Sequence, residues 1–195
     1  MKDGVRIAVV GTGAIAQLTH IPVLSKLRGA KLVALCDNDA AKARALADRF
    51  DVPDVFTDFE ELLDSDELDA VVIATPNHLH EPHVLSALRA KLHVLCERPL
   101  SLSTRGIERC LAAAQKADRR LVAMVSGLLS FLVTVGHDAG GGGQASATLR
   151  WECRVDFASA LAAVRASNFS ASRELQLEAA TRATIYLHFV SAIFR

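Results

Sequence analysis

The chain has 195 residues, enough for one domain or for one domain plus part of a second. Lysine plus arginine and aspartate plus glutamate both number 22, so the formal net charge is +0 and no basic excess points to nucleic acid. The four cysteines, Cys36, Cys96, Cys110 and Cys153, show no paired spacing and no histidine cluster joins them, which argues against a zinc site and for reduced, buried thiols.

Met1 to Gly4 runs straight into a strand pattern, without an apolar leader and small-residue cleavage site, so a soluble, cytoplasmic protein is expected. Val5–Val10 is a β-branched run of the kind found in strands covered on both faces. The helix that follows should kink or break at Pro22. Leu32–Cys36, Ala70–Ala74, His93–Cys96 and Leu121–Val125 repeat the strand pattern, and Val55–Phe56 is a short addition. Between them, helical periodicity covers Ala40–Phe50, Pro82–Ala90 and Ile107–Ala117. Phe59–Leu63 forms a further short helix, opened by Asp58 with Glu61 three residues on.

Alternating strands and helices predict an α/β fold, a doubly wound parallel Rossmann sheet over residues 1–125. The uncharged run from Leu121 to Gly136 is shorter than the ~20 apolar residues of a membrane span and is interrupted by Ser126, Gly127, Ser130 and Thr134, so no membrane association is expected.

The texture changes after Val125. Gly140 to Gly143 is a flexible run, and Leu149–Phe157 alternates apolar and polar residues as a one-faced strand does. Ala158 to Arg195 is weakly helical, with Thr184–Phe194 read as one more strand. Residues 126–195 are therefore expected to be an incomplete or divergent α+β segment, a partial substrate or oligomerisation domain.

The chemistry concentrates in four places. Gly11-Thr12-Gly13-Ala14-Ile15-Ala16 is a G-x-G-x-x-A directly after a strand and opening a helix. Gly11 permits a tight turn, Gly13 lets a pyrophosphate approach the backbone, and Ala16 lets helix and strand pack closely. The phosphates would sit on free N–H groups at a helix N-terminus. Asp37 lies 21 residues after Ala16, close to the ~20 expected of an acid that bonds the adenosine ribose hydroxyls. Helix capping within Asp37-Asn38-Asp39 is its plainer role.

Thr75-Pro76-Asn77 with His78 and His80, and Glu97-Arg98-Pro99, each follow a strand at the end where ligands bind in open α/β sheets. A turn and a solvated ion pair are their plainer readings. His78, His80 and His83 lack the accompanying ligands a metal needs, so no metal is expected.

These four motifs in order, with the run from Leu68 to His80 and that from His93 to Leu100, resemble the Gfo/Idh/MocA family of oxidoreductases over roughly residues 4 to 125. The resemblance implies that Gly11, Thr12, Gly13, Ala14, Ile15, Ala16 and Asp37 hold the pyrophosphate and ribose of NAD, with NADP the weaker choice. It implies that Thr75, Pro76, Asn77 and His80 line the nicotinamide half, joined by Glu97 and Arg98. It implies a sugar, polyol or related small hydroxy or carbonyl compound as substrate, and it admits a homo-oligomer.

Two departures stand out. Arg98 occupies the family's lysine position, and arginine cannot accept a proton, although it can orient a hydroxyl. The family's Asp/His helper has no match after Ser126; His188 is preceded at four positions by Thr184. Arg98 and His80 are thus the candidate catalytic residues. The competing expectations are a non-catalytic dinucleotide-binding or regulatory protein and a truncated fragment.

Overall fold

The computed structural model describes residues 4–65 and 68–124, the backbone of Val133–Val135, and Ile185, Tyr186, Phe189, Val190 and Ile193. The predicted Leu149–Phe157 strand, the Gly140 to Gly143 run and Cys153 lie outside the described residues.

Among the described residues, seven strands make one sheet: β1 (Val5–Val10), β2 (Ala30–Cys36), β3 (Asp54–Phe56), β4 (Ala70–Ile73), β5 (His93–Cys96), β6 (Leu121–Ala123) and β7 (Val133–Val135). Their order is β3-β2-β1-β4-β5-β6-β7. The first six run parallel, and β7 pairs antiparallel with β6. The expected doubly wound sheet is present, and β7 carries it beyond residue 125. The order reverses direction between β1 and β4, so the loops leaving these strands diverge and open a crevice at their carboxyl ends.

The β-branched runs form strands buried on both faces because helices cover both. On one face lie Ile7, Val9, Leu35, Val72 and Leu95, packed against Ala16, Ile21 and Leu24 and against Leu46 and Ala47 of α2 (Ala40–Phe50). On the other lie Ala8, Val10, Ile73 and Cys96. These meet Leu62 of α3 (Phe59–Leu63), Val84 and Leu88 of α4 (Asn77–Arg89), and Cys110 and Ala114 of α5 (Thr104–Ala117). Each fully buried aliphatic side chain of this kind stabilises the fold by roughly 1.5–3 kcal/mol.

Three helix starts, those of α2, α3 and α5, are capped by side chains. Asp39, Asp58 and Ser103 each accept a backbone N–H three residues on, at 3.0 Å in every case.

β2 carries one irregularity. Ile7 pairs with Leu32, but Ala8 pairs with Ala34, leaving Val33 as an extra residue in the strand. Val33 and Ala34 consequently face the same side of the sheet, with Leu32 and Leu35 on the other.

Three expectations are corrected. The first helix does not break at Pro22. A π-helical turn at Ala16–His20 runs into α1 (Ile21–Leu24), with the Ile21 N–H bonded to the Ala16 carbonyl. The wider turn shifts the ladder just ahead of the proline that has no N–H. The helix expected at Pro82 starts instead at Asn77 and holds Pro82 in its interior. Its buried face there is occupied by His80, so no apolar period marks the first turns.

The third correction concerns Thr184–Phe194. The described residues of that stretch are helical, not extended. Ile185, Tyr186, Phe189 and Val190 follow helical spacing and are buried against the first face.

Among the described residues, no helix is long and apolar enough to cross a membrane. None of their His, Cys, Asp and Glu groups in threes could hold a metal ion.

Candidate cofactor site

The turn after β1 forces glycine at its first position. Gly11 has φ +89°, and a Cβ there would stand 2.6 Å from the Ala74 carbonyl oxygen at the end of β4. Only a residue without a side chain lets the two loops approach so closely. Gly13 is the opposite case. It is exposed, and nothing lies within 4 Å of where its Cβ would be. Bare backbone therefore faces open space at the start of a helix, which suits an anionic group seeking N–H donors.

Asp37 reaches this turn from the end of β2. Its Oδ2 accepts the Thr12 N–H and the Thr12 hydroxyl, both at 2.7 Å. Its Oδ1 accepts the Asp39 N–H at 2.9 Å and pairs with Lys42 Nζ at 3.1 Å. Burial alone would raise its pKa. The hydrogen bonds from Asp39 and Thr12, with Lys42, outweigh that and hold the carboxyl below its ordinary value.

The loops after β4 and β5 are tied by one ring. His80 is 1% exposed, with Nε2 2.7 Å from the Thr75 carbonyl and Nδ1 2.7 Å from the Pro99 carbonyl. A neutral imidazole has one N–H for those two acceptors. Both nitrogens face backbone, so in this arrangement neither is presented to a bound molecule.

Thr75 Oγ1 also meets His83 Nδ1 at 3.3 Å. Burial, assisted by His80, pushes the pKa of His83 down. Pro76, Asn77 and Arg98 are exposed at the crevice rim, and Arg98 is joined to Pro99 by a cis peptide bond. Glu97 is buried beneath them, 8% exposed.

The structure thus gathers Gly11, Thr12, Asp37, Thr75, His80, Glu97 and Pro99 around the carboxyl ends of β1, β2, β4 and β5. Ala14 is exposed, Ile15 is half-buried and Ala16 is buried in the core.

Of the two cations within sequence reach of Asp37, Lys42 and Arg44, Lys42 pairs with it and neutralises part of its charge. One residue of this region escapes a reading of motifs. His20, fully buried, contacts Glu97 at 2.8 Å. His20 lies four residues from both Ala16 and Leu24, all three buried, and that spacing was the available signal. The cysteines described are free and buried, and burial pushes Cys36 up to about 12 and Cys110 up to about 11, as expected of inert thiols.

The chain is similar to known proteins over these residues. The oxidoreductase family with an NAD-binding Rossmann fold, Gfo/Idh/MocA, matches residues 5–125. Inositol 2-dehydrogenase of Corynebacterium glutamicum is 37% identical over 120 residues, which are 61% of this chain and 35% of that protein. Scyllo-inositol dehydrogenase of Lactobacillus casei, crystallised with NAD(H) and scyllo-inositol, superposes with TM-score 0.58 at 27% identity, over 62% of this chain and 36% of the other. The 3-ketoreductase KijD10 of Actinomadura kijaniata, in complex with TDP-benzene and NADP, gives TM-score 0.59 at 30% identity over 62% and 38%. This chain spans a little over a third of the length of such relatives.

Proposed function

Because the chain belongs to the oxidoreductase family with an NAD-binding Rossmann fold, Gfo/Idh/MocA, we propose that it binds NAD in preference to NADP and is an oxidoreductase of a sugar or polyol. The observation that carries this reading is the Thr12–Asp37 contact beside the open backbone of Gly13. The residues fit the cofactor. Gly11 to Ala16 would receive the pyrophosphate and Asp37 the adenosine ribose. Thr75, Pro76 and Asn77 would line the other half. The bound dinucleotide supplies hydride chemistry; the protein supplies orientation and electrostatics.

The preference follows from charge. A 2′-phosphate about 4 Å from Asp37 meets roughly 4 kcal/mol of repulsion at an effective dielectric of 20. Lys42 offsets part of this, so a preference for NAD of about tenfold is expected rather than exclusion. In a titration, NADH binds and NADPH binds more weakly. Gly13→Val abolishes binding with the circular dichroism spectrum unchanged, because the added side chain fills only open space. Equal affinity of wild type and variant overturns the reading.

One observation favours a second reading, cofactor binding without efficient turnover. Arg98 stands at the family's lysine position and has no lone pair to take a hydroxyl proton. A positioned acid or base contributes typically 10²–10⁴-fold. Turnover with inositols, sugars and polyols should therefore be slow. A kcat near the enzyme median of about 10 s⁻¹ excludes this second reading.

A further inference from the structure

Three polar side chains from distant parts of the chain meet in the interior behind the cofactor turn. His20, in the π-helical turn, places Nε2 2.8 Å from Glu97 Oε1 and Nδ1 2.5 Å from the Tyr186 hydroxyl. His20 and Tyr186 are 0% exposed and Glu97 is 8% exposed. The two rings meet edge to face at 5.8 Å. Ile185, Phe189 and Val190, on the same helical stripe as Tyr186, are buried in the core and anchor it.

The link has a direction. A carboxylate accepts hydrogen bonds and donates none, so it fixes the ring proton on Nε2. With the ring neutral, Nδ1 accepts the tyrosine O–H. One rotamer of Glu97 and one tautomer of His20 satisfy both contacts. The other oxygen of Glu97 accepts the Arg98 N–H at 3.4 Å, and the carbonyl of the following residue, Pro99, lies 2.7 Å from His80 Nδ1. The chain of contacts therefore runs from the segment around residue 186 to the turn that carries Arg98.

We propose that Tyr186, acting through His20, is a positioning residue for Glu97 and the Arg98–Pro99 turn, so that docking of its helical segment sets the affinity of the cofactor site. This rests on the cofactor-binding reading above. Tyr186→Phe keeps the ring that fills the core and removes only the hydroxyl. A role in packing alone would leave both the tautomer of His20 and the cofactor affinity unchanged.

The test uses the whole 195-residue chain with ¹⁵N-labelled histidine. In the wild type, His20 should show one fixed tautomer with Nε2 protonated. Tyr186→Phe should move the Nδ1 resonance and weaken NADH binding three- to tenfold, with cooperative unfolding retained. His20→Gln, which keeps an amide donor for Glu97, should bind NADH better than His20→Ala. Should Tyr186→Phe fail to fold, Glu97→Gln probes the same link from its other end and should also move His20 and weaken binding.

Unchanged His20 resonances in the variants overturn the proposal. So do moved resonances with unchanged affinity, which reduce the cluster to a satisfied core contact. A wild-type chain that binds no NADH overturns the function proposed above. The His20 resonances then decide alone whether Tyr186 fixes Glu97.

Discussion

The two ends of the sheet are built from similar residues and behave differently. At the amino ends of the strands a cleft of 270 Å³ is lined by Asp69, Lys91, His93 and Arg119, among others. There polar side chains are spent on backbone close to them in space. Asp69 accepts the Arg6 N–H at 2.9 Å, His93 Nδ1 accepts the Arg120 N–H at 3.0 Å, and the Arg119 guanidinium donates to the Lys91 carbonyl.

At the carboxyl ends the bonds cross between separate crossovers. Thr12 meets Asp37, His80 bridges two loops, and His20 meets Glu97. Glycine backbone is left facing outward between them. A cleft and a group of charges do not by themselves make a site. Loops held by one another, around donors left open, are what a ligand can use.

This contrast can be broken at single residues. The largest effect is expected of Gly11→Ala at the carboxyl end. Its Cβ would collide with the Ala74 carbonyl in a backbone conformation that L residues avoid, so unfolding by denaturant should show a loss of about 3 kcal/mol.

His80→Ala removes the ring that bridges the Thr75 and Pro99 carbonyls, with the one N–H a neutral imidazole can give them, and should cost about 2–3 kcal/mol in the same measurement, together with weaker NADH binding. A loss of stability with unchanged affinity would detach His80 from the site.

At the amino end the expected effect is one of pH. Burial first, then Arg119 and Arg120, lower His93 from 6.5 to about 4, while Asp69 and Asp118 act the other way. Above pH 6.5 the ring is neutral in both folded and unfolded chains and contributes no pH dependence. Between pH 6.5 and 4 the unfolded chain takes the proton and the folded chain resists it, so stability falls as pH falls. The loss should reach about 2 kcal/mol near pH 4, less than the whole shift implies because the ring is only partly removed from water. His93→Asn keeps an acceptor for the Arg120 N–H and should flatten this limb of the stability–pH curve.

The smallest effect is a gain. Asp118 ends α5 at φ 54°, a left-handed position at the negative end of the helix dipole, so Asp118→Gly should raise stability by about 0.5–1 kcal/mol in thermal unfolding.

What was legible in the sequence was what is local. Val5–Val10, the glycine turn and Asp37 declare themselves because strand, turn and acid each follow from neighbouring residues. The start of α4 was hidden because His80 fills a buried position that an apolar residue would have marked. Thr184, Ile185, Val190 and Ile193 suggested a strand through their β-branched side chains. The spacing of 185, 186, 189, 190 and 193 is helical, and packing on the sheet decided the matter. Tyr186 could not be found at all, since its partner His20 lies 166 residues away and no local pattern encodes the meeting.

The extra residue in β2 has a consequence for the acid that follows it. Side chains alternate strictly along a strand, and Val33 resets that alternation once, three residues before Cys36. With it, the Gly11 N–H meets the Cys36 carbonyl and Asp37 emerges toward Thr12. Remove Val33 and Leu32 is followed directly by Ala34, a regular alternation that keeps Leu35, Cys36 and the carboxylate after them on their present sides; remove Leu32 and Val33 together and the phase inverts, turning the carboxylate to the opposite side of the sheet. The distance from glycine turn to acid is therefore a parity as well as a length, and a one-residue deletion at Val33 should be tolerated far better than a two-residue one.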